Sequence, residues 1–225
     1  MSAFRGFPPE ALDFFVELEA NNERAWWHAN LPRFETAVKQ PMRALLDELD
    51  DRYGPFRAFR MNRDVRFSND KSPYKTAHAA LSETEGGSLH YVQISANGLF
   101  LGAGIYHTAR DQVDRLRAAI ADDIAGPELE QAIAVVRGAG LEVSSGMEDP
   151  LKTAPRGYPK DHPRIELLRW KGCISSKELG APKWLHTKQV TTRITDTWAK
   201  AEPLVSWLDR HVGPRQLPPD ETRRR

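Results

Sequence analysis

The chain of 225 residues is long enough to bury one substantial core, and its 40% hydrophobic and 28% charged residues are typical of a soluble globular protein. Its one cysteine, Cys173, excludes an internal disulfide and fits a reducing compartment. The sequence shows no secretory signal and no apolar run that could span a bilayer, so we expect a cytoplasmic protein without a membrane segment. The net charge of +1 indicates no class of partner.

The first third of the chain has the apolar spacing of helices. Pro8-Pro9 suits a helix start, and Asn21-Asn22 offers an N-cap to a second, short helix. A third helical stripe covers residues 34–49. Pro41 lies inside this stripe and predicts a kink or a break there.

Strands are expected in the middle of the chain, beginning near residues 74–81. Asn97-Gly98 lies between two alternating apolar runs and predicts a two-residue type I′ hairpin turn. This register sets three apolar pairs opposite each other on one face, namely Ala96–Leu99, Ile94–Leu101 and Val92–Ala103. Gly102 and Gly104 on the other face predict a close approach by a helix or a ligand.

The C-terminal half is predicted to be mostly helical. Helical stripes cover residues 113–136, and the Pro-, Gly- and Ser-rich residues 144–163 predict a long loop of the kind that is often functional. A short helix through Ile165 and a strand near residues 170–175 follow. A final helical stripe over residues 190–212 contains a proline that predicts a split.

Helices, then antiparallel strands, then helices predict an α+β fold. We expect an antiparallel sheet with a central Asn-Gly hairpin, packed against N-terminal and C-terminal helices. A single domain is expected over residues 1–213, with a disordered basic tail over residues 214–225.

Positive charge is concentrated in two parts of the sequence. Residues 60–75, the first basic segment, contain five basic and two acidic residues, and residues 152–171, the second basic segment, contain six basic and two acidic residues. Together they carry +7, so the rest of the chain carries −6. If the fold brings the two segments together, one face of a nearly neutral protein is strongly positive.

The first basic segment, treated as a strand, has one wholly polar face, formed by Arg60, Asn62, Asp64, Arg66 and Ser68. On this face Asp64 can reach an arginine, or two guanidinium groups can converge on one phosphate or carboxylate. A Ser-Pro turn then places Lys71 at a loop tip, and Tyr74 and Lys75 start the next strand. The alternative is a solvated, salt-bridged edge without a ligand.

The second basic segment contains PRGYPKDHP, residues 155–163, in which Lys160 and His162 are candidate ligand contacts. Adjacent side chains do not face each other, so an N-cap role for Asp161 is favoured over an Asp-His dyad. His162 is the candidate acid–base residue, since free imidazole titrates near neutrality. No zinc spacing, P-loop or serine-hydrolase elbow occurs, so no metal or cofactor is expected and enzyme activity stays open.

Two stretches, NRDVRFSNDKSPYKT (residues 62–76) and PRGYPKDHPRIELLRWKG (residues 155–172), resemble the signature of a family of conserved hypothetical proteins, domain of unknown function 2461. The resemblance extends over nearly the whole chain. The family usually has lysine where this chain has Asn69, so one cation of the cluster is optional. The resemblance implies no established activity, but it implies that both basic segments are family motifs, which favours a site over a solvated edge.

We therefore predict a site for an anionic small molecule, either phosphorylated or carboxylated. Its candidate residues are Arg63, Arg66, Lys71, Tyr74, Lys75, Lys160 and His162. One alternative is a protein-interaction module that docks an acidic partner. The other is a weak nucleic-acid binder, against which the near-neutral charge and the absence of a nucleic-acid motif argue. The sequence does not indicate the oligomeric state.

Overall fold

A computed structural model describes residues 3–66, 69–106, 108–146 and 149–216. The helices are α1 (Glu10–Ala20), α2 (Arg24–Phe34), α3 (Gln40–Tyr53), α4 (Arg110–Ala121), α5 (Ala125–Gly138), α6 (Ile165–Leu168) and α7 (Gln189–His211). The strands are β1 (Arg57–Ala58), β2 (Ala77–Glu83), β3 (Leu89–Ser95), β4 (Gly98–Ile105), β5 (Glu142–Ser144) and β6 (Cys173–Gly180). A π-helical segment (Glu35–Lys39) joins α2 to α3, and a 3-10 helix (Lys183–His186) precedes α7.

The strands form a six-stranded sheet in the order β1-β2-β3-β4-β6-β5. β1 pairs antiparallel with β2, with Arg57 opposite Leu81, and β5 pairs antiparallel with β6, with Val143 opposite Ser175. Helices precede and follow these strands in the chain, so the predicted α+β class is confirmed.

Contacts between Cα atoms divide the chain into two compact units. Unit 1 consists of Met1–Ser82, Tyr91–Leu101 and Glu178–Asp196, and unit 2 consists of Glu83–His90, Gly102–Lys177 and Thr197–Arg225. The single domain over residues 1–213 stays a prediction. Residues 217–225 of the predicted tail lie outside the described residues.

Unit 1 buries the apolar stripes of its first three helices, as their spacing predicts. The ring of Phe14 lies 6.0 Å from that of Trp27 and 5.6 Å from that of Phe34, so α1 and α2 share an aromatic core. The predicted N-cap at Asn21-Asn22 is wrong, because α2 begins after Glu23 and has no side-chain cap. The Asn22 side chain has another partner, described below.

The chain does not break at Pro41, and a π-helical segment, Glu35–Lys39, ends two residues before it. Proline has no backbone N–H to donate, and its ring clashes with the carbonyl of the preceding turn. A wider π-helical turn just before the proline relieves that clash while the chain stays helical.

The predicted Asn-Gly hairpin turn is not observed. The turn between the neighbouring strands β3 and β4 is formed by Ala96 and Asn97, one residue earlier than expected. Gly98 has a φ of +92° but Asn97 does not have a positive φ, whereas a type I′ turn needs it at both central residues. A Cβ at Gly98 would lie 2.1 Å from the Gly180 carbonyl oxygen, so close approach also requires this glycine.

The close approach predicted at Gly102 and Gly104 occurs within unit 2. The indole of Trp198, on α7, donates a 3.2 Å hydrogen bond to the Gly102 carbonyl. Gly104 has a φ of +130°, and a Cβ there would lie 2.4 Å from the Cys173 carbonyl oxygen of β6. The approaching groups are therefore a helix side chain and a neighbouring strand.

The predicted split at Pro203 is wrong, because α7 runs without interruption from Gln189 to His211. The buried stripe of this helix continues on both sides of the proline, which is itself exposed. Burial of this stripe outweighs the cost of about 3 kcal/mol that an interior proline imposes on a helix.

Candidate functional site

The first basic segment lies in unit 1, and only its ends are strand-like. The Arg63 amide donates to the Pro73 carbonyl at 2.9 Å, the Lys75 amide donates to the Met61 carbonyl at 2.8 Å, and Asn62 forms an isolated bridge with Tyr74. Residues 64–66 belong to no strand, so the predicted polar strand face is wrong in this part. Ser68 lies outside the described residues.

Two aspartates explain why the strand stops. Asp64 accepts the Arg66 amide at 3.3 Å, and Asp70 accepts the Ser72 amide at 2.8 Å. Each bond spans two residues and closes a local Asx turn, which competes with strand pairing for the same backbone groups. The acids of this segment therefore shape its loop.

The same aspartates neutralise two of the predicted ligand-binding arginines. Arg66 forms an ion pair with Asp64 at 2.6 Å, and Arg63 forms one with Asp70. The hydrogen bonds from Arg66 lower the pKa of Asp64 to about 2, and those from Ser72 and then Arg63 lower the pKa of Asp70 to about 2. Both acids therefore stay ionised at neutral pH, and an incoming anion would compete with them.

The lysines of the first basic segment have different surroundings. Lys71 is exposed, as predicted for a loop tip, and donates to the Val65 carbonyl at 3.0 Å. The Lys75 ammonium lies 5.0 Å from the centre of the Phe59 ring, and its pKa is lowered by burial and secondarily by the charge of Arg60. Arg60 was not among the predicted site residues, since a sequence does not show that it neighbours Lys75.

Tyr74, another predicted ligand contact, is held in the core of unit 1. Its ring is 4% exposed and stacks on Trp27, with the ring centres 4.3 Å apart and the planes 15° apart. The Asn22 side chain donates to the Tyr74 carbonyl at 2.9 Å and accepts from the Tyr74 amide at 3.1 Å. Asn22 thus pairs with this backbone as a neighbouring strand would.

Replacing Asn22 with alanine is expected to lower the free energy of unfolding by about 2 kcal/mol, because both Tyr74 backbone groups lose their partner. The matched control is Asn21→Ala, which removes one exposed bond to the Glu17 carbonyl and should cost less than about 0.5 kcal/mol. Urea unfolding of both variants measures the difference. Equal losses would show that the Asn22 pairing contributes nothing specific.

The second basic segment lies in unit 2, where Arg164 has a structural role. This arginine is 9% exposed and donates to the carbonyls of Ile120 at 2.6 Å and Asp122 at 3.0 Å, at the end of α4. A cation at a helix C-terminus satisfies carbonyls that have no helical partner. A Cβ at Gly126 would lie 2.3 Å from Arg164 Nε, so the glycine makes room for this cap.

Residues 151–163 of unit 2 form what we call the cationic loop. Hydrogen bonds fix its backbone, from Leu151 to the Arg169 carbonyl at 2.9 Å and from Tyr158 to the Pro155 carbonyl at 3.2 Å. Its three basic residues are exposed and make no ion pair or hydrogen bond with the described part of the chain. They are Lys152, Arg156 and Lys160.

His162 makes a local hydrogen bond to the backbone just before α6, and α6 has no side-chain cap. Its Nδ1 accepts the Arg164 amide at 3.0 Å just before α6, whereas Asp161 is exposed and α6 has no side-chain cap from it. The predicted N-cap at Asp161 is therefore wrong. Because Nδ1 is the acceptor, the neutral ring carries its proton on Nε2.

The family described as conserved hypothetical protein (DUF2461) matches residues 10–207. The chain belongs to this family. The match spans both basic segments and most of both units. No curated protein and no solved structure matches the chain significantly.

Other ionisable residues of this DUF2461 protein are buried. Burial lowers the pKa of His78 and of His90 to about 4, and raises the pKa of the Cys173 thiol to about 12, which makes the thiol a poor nucleophile at neutral pH. Within the described ranges, no three His, Cys, Asp or Glu side chains are grouped as a metal site requires. No helix in those ranges combines the length and apolarity that crossing a membrane requires.

Proposed function

We propose that this protein binds a small phosphorylated or carboxylated molecule through the cationic loop of unit 2. One observation carries the proposal: Lys152, Arg156 and Lys160 are exposed and have no carboxylate partner among the described residues. Three uncompensated cations within nine residues attract an anion, whereas paired cations do so weakly. Arg156 can bind two phosphate or carboxylate oxygens at once, and the lysines supply point charge.

The first basic segment is a weaker anchor by the same criterion. Arg63 and Arg66 already have carboxylate partners, so an anion gains little by approaching them. The like-charged pair Arg60 and Lys75 is the better position in unit 1, because neither cation forms an ion pair within the described part of the chain, although the charge of Arg60 also acts on Asp64. The predicted roles of Arg63, Arg66 and Lys71 stay predictions.

The backbone of the cationic loop supports binding because it is already ordered. Pro155 is buried, Pro155 and Pro159 each accept a hydrogen bond three residues on, and Leu151 is tied to Arg169. A loop fixed in this way loses less conformational entropy when a ligand binds. His162 adds a donor, since its Nε2–H is the ring group that its backbone bond does not use.

The test compares two triple variants that lose the same charge. We expect K152Q/R156Q/K160Q to bind pyrophosphate and citrate at least about tenfold more weakly by calorimetry, since each lost ion pair contributes up to about 1 kcal/mol. The control, R43Q/K188Q/K200Q, removes three exposed cations that have no partner in the described chain, and should bind as the wild type does. Wild-type affinity should fall with added salt.

Equal losses in both triple variants would show that only net charge matters, and would overturn the proposal. The proposal would also be overturned if the wild-type protein bound neither pyrophosphate nor citrate. Binding of poly-glutamate without binding of small anions would favour the docking of an acidic protein. Binding of a single-stranded oligonucleotide alone would favour the nucleic-acid alternative.

A further inference from the structure

A second candidate site lies in unit 2, away from the cationic loop. It is an open hollow of about 450 Å³ at the junction of α4, the start of α5 and the end of α7, which we call the alanine hollow. Its lining consists of Ala118, Ala119, Asp122, Ile124, Ala125, Glu128, Arg210 and His211. The volume lies within the range of about 300–1,000 Å³ that is usual for small-molecule sites.

The hollow exists because three helix-end positions carry only a methyl group. Ala118 and Ala119 on α4 and Ala125 on α5 all line the hollow, and longer side chains there would fill it. Ile124, which also lines the hollow, is 74% exposed, the highest value among the large hydrophobic side chains of the described residues. An apolar floor and an exposed isoleucine together offer area that a ligand can bury.

Charged groups of both signs surround this apolar floor. Asp122 accepts the amides of Ile124 at 2.9 Å and Ala125 at 2.8 Å, which lowers the pKa of its carboxyl and keeps it ionised. Glu128 Oε2 lies 3.7 Å from the Arg210 guanidinium and 3.5 Å from His211 Nε2. These separations exceed an ordinary hydrogen bond, so the charged groups of Glu128 and Arg210 are incompletely paired.

The His211 ring supplies a polar atom that lies near Glu128 but makes no hydrogen bond with it. It packs against Trp207 with ring centres 4.9 Å apart, and its Nε2 is buried without a hydrogen-bond partner in the described chain. A buried polar atom without a partner costs free energy that a bound group could recover. The hollow therefore has both apolar area and unsatisfied polar capacity.

We infer that the alanine hollow binds a small zwitterion with an apolar body, of the class of aliphatic amino acids. Glu128 and Asp122 attract the ammonium group, Arg210 and His211 receive the carboxylate, and the alanine floor and Ile124 contact the apolar body. A simple anion would face two carboxylates, and a simple cation would face the guanidinium. A ligand that carries both signs matches all four groups.

The test measures the binding of L-leucine and of two analogues of similar shape by NMR chemical-shift titration. 3-Methylbutylamine lacks the carboxylate, and 4-methylpentanoate lacks the ammonium group. We expect leucine to bind with a Kd of about 1 mM or below, and each analogue to bind at least about tenfold more weakly. The cationic-loop triple variant should bind leucine normally, which keeps this test separate from that of anion binding.

Two substitutions and one control variant locate the site. Ala119→Leu should fill the hollow and weaken leucine binding at least about tenfold, while Ala134→Leu, at an exposed position of α5, should not change it. Glu128→Gln should weaken binding of leucine but not of 4-methylpentanoate. Absence of saturable leucine binding up to about 10 mM, equal binding of the three compounds, or an unaffected Ala119→Leu variant would each overturn the inference.

Discussion

Lowering the pH from 8 to 5 is expected to reduce the free energy of unfolding by about 2 kcal/mol for each of His78 and His90, about 4 kcal/mol together. Burial lowers the pKa of each ring to about 4, from an ordinary value of 6.5. Between these two values the unfolded chain binds protons that the folded chain does not. Stability is therefore complete above pH 6.5 and falls as the pH drops toward 4.

The surroundings of His78 show why its neutral form is favoured. The ring is 4% exposed and packs edge-on against Phe34, and its Nδ1 has no hydrogen-bond partner in the described chain. Charges of Lys39 and Lys75 oppose protonation, and the charge of Glu35 favours it. For His90, burial is opposed by the charge of Asp209.

Phenylalanine substitutions measure how much each histidine contributes to the loss of stability at low pH, because they keep the ring packing and remove the titrating group. In urea unfolding at pH 8 and pH 5, His78→Phe and His90→Phe should each remove about half of the histidine-linked loss. The double variant should remove nearly all of it. A wild-type loss that survives in the double variant would show that other groups cause the acid sensitivity.

Gly104→Ala is expected to lower the free energy of unfolding by at least about 3 kcal/mol. The glycine has a φ of +130°, which L-residues rarely adopt, and the new Cβ would lie 2.4 Å from the Cys173 carbonyl oxygen. Backbone atoms on a paired strand cannot turn aside as a flexible side chain can. The sheet must therefore separate or the residue must leave its conformation.

Gly140→Ala is the matched control because it has a positive φ without the clash. Its φ is +83°, and the nearest atom to a new Cβ is the flexible end of Lys177, at 3.7 Å. It should cost about 1 kcal/mol, the strain of the backbone alone. Thermal and urea unfolding compare the two variants. Similar losses of unfolding free energy would show that the close approach to Cys173 is not the reason that position 104 requires glycine.

The helices could be predicted from the sequence because their signals are local. The stripes around Phe14 and Leu45 are buried as their spacing predicts, and the α+β class follows from the order of elements. Features that depend on competition between local sequence preference and packing were predicted less well. Pro203 stays inside α7 because the buried stripe of that helix continues on both sides of the proline. The β3–β4 turn precedes Gly98, and Asn97 has no positive φ, contrary to what its Asn-Gly sequence predicts.

The candidate site could likewise be predicted only in part from the sequence. Counting charges located both basic segments, but could not separate cations with structural partners from cations without them. Arg164 caps α4 through carbonyls that lie more than forty residues earlier in the sequence, and no local sequence pattern predicts such a contact. Asp70 was recognisable as a turn residue, and Asp64 was placed on a strand face from which it could reach an arginine. The pairing of Asp70 with Arg63 depends on the loop that the structure shows.

The most direct measurement of anion binding is a crystal structure grown with selenate, a tetrahedral anion that is visible by anomalous scattering. We expect an anomalous peak within hydrogen-bond distance of at least two of Lys152, Arg156 and Lys160. These side chains are exposed and without partners in the described chain, so nothing but solvent must leave. Selenate bound at Arg43 or Lys188 while the cationic loop stays solvated would contradict anion binding by this loop.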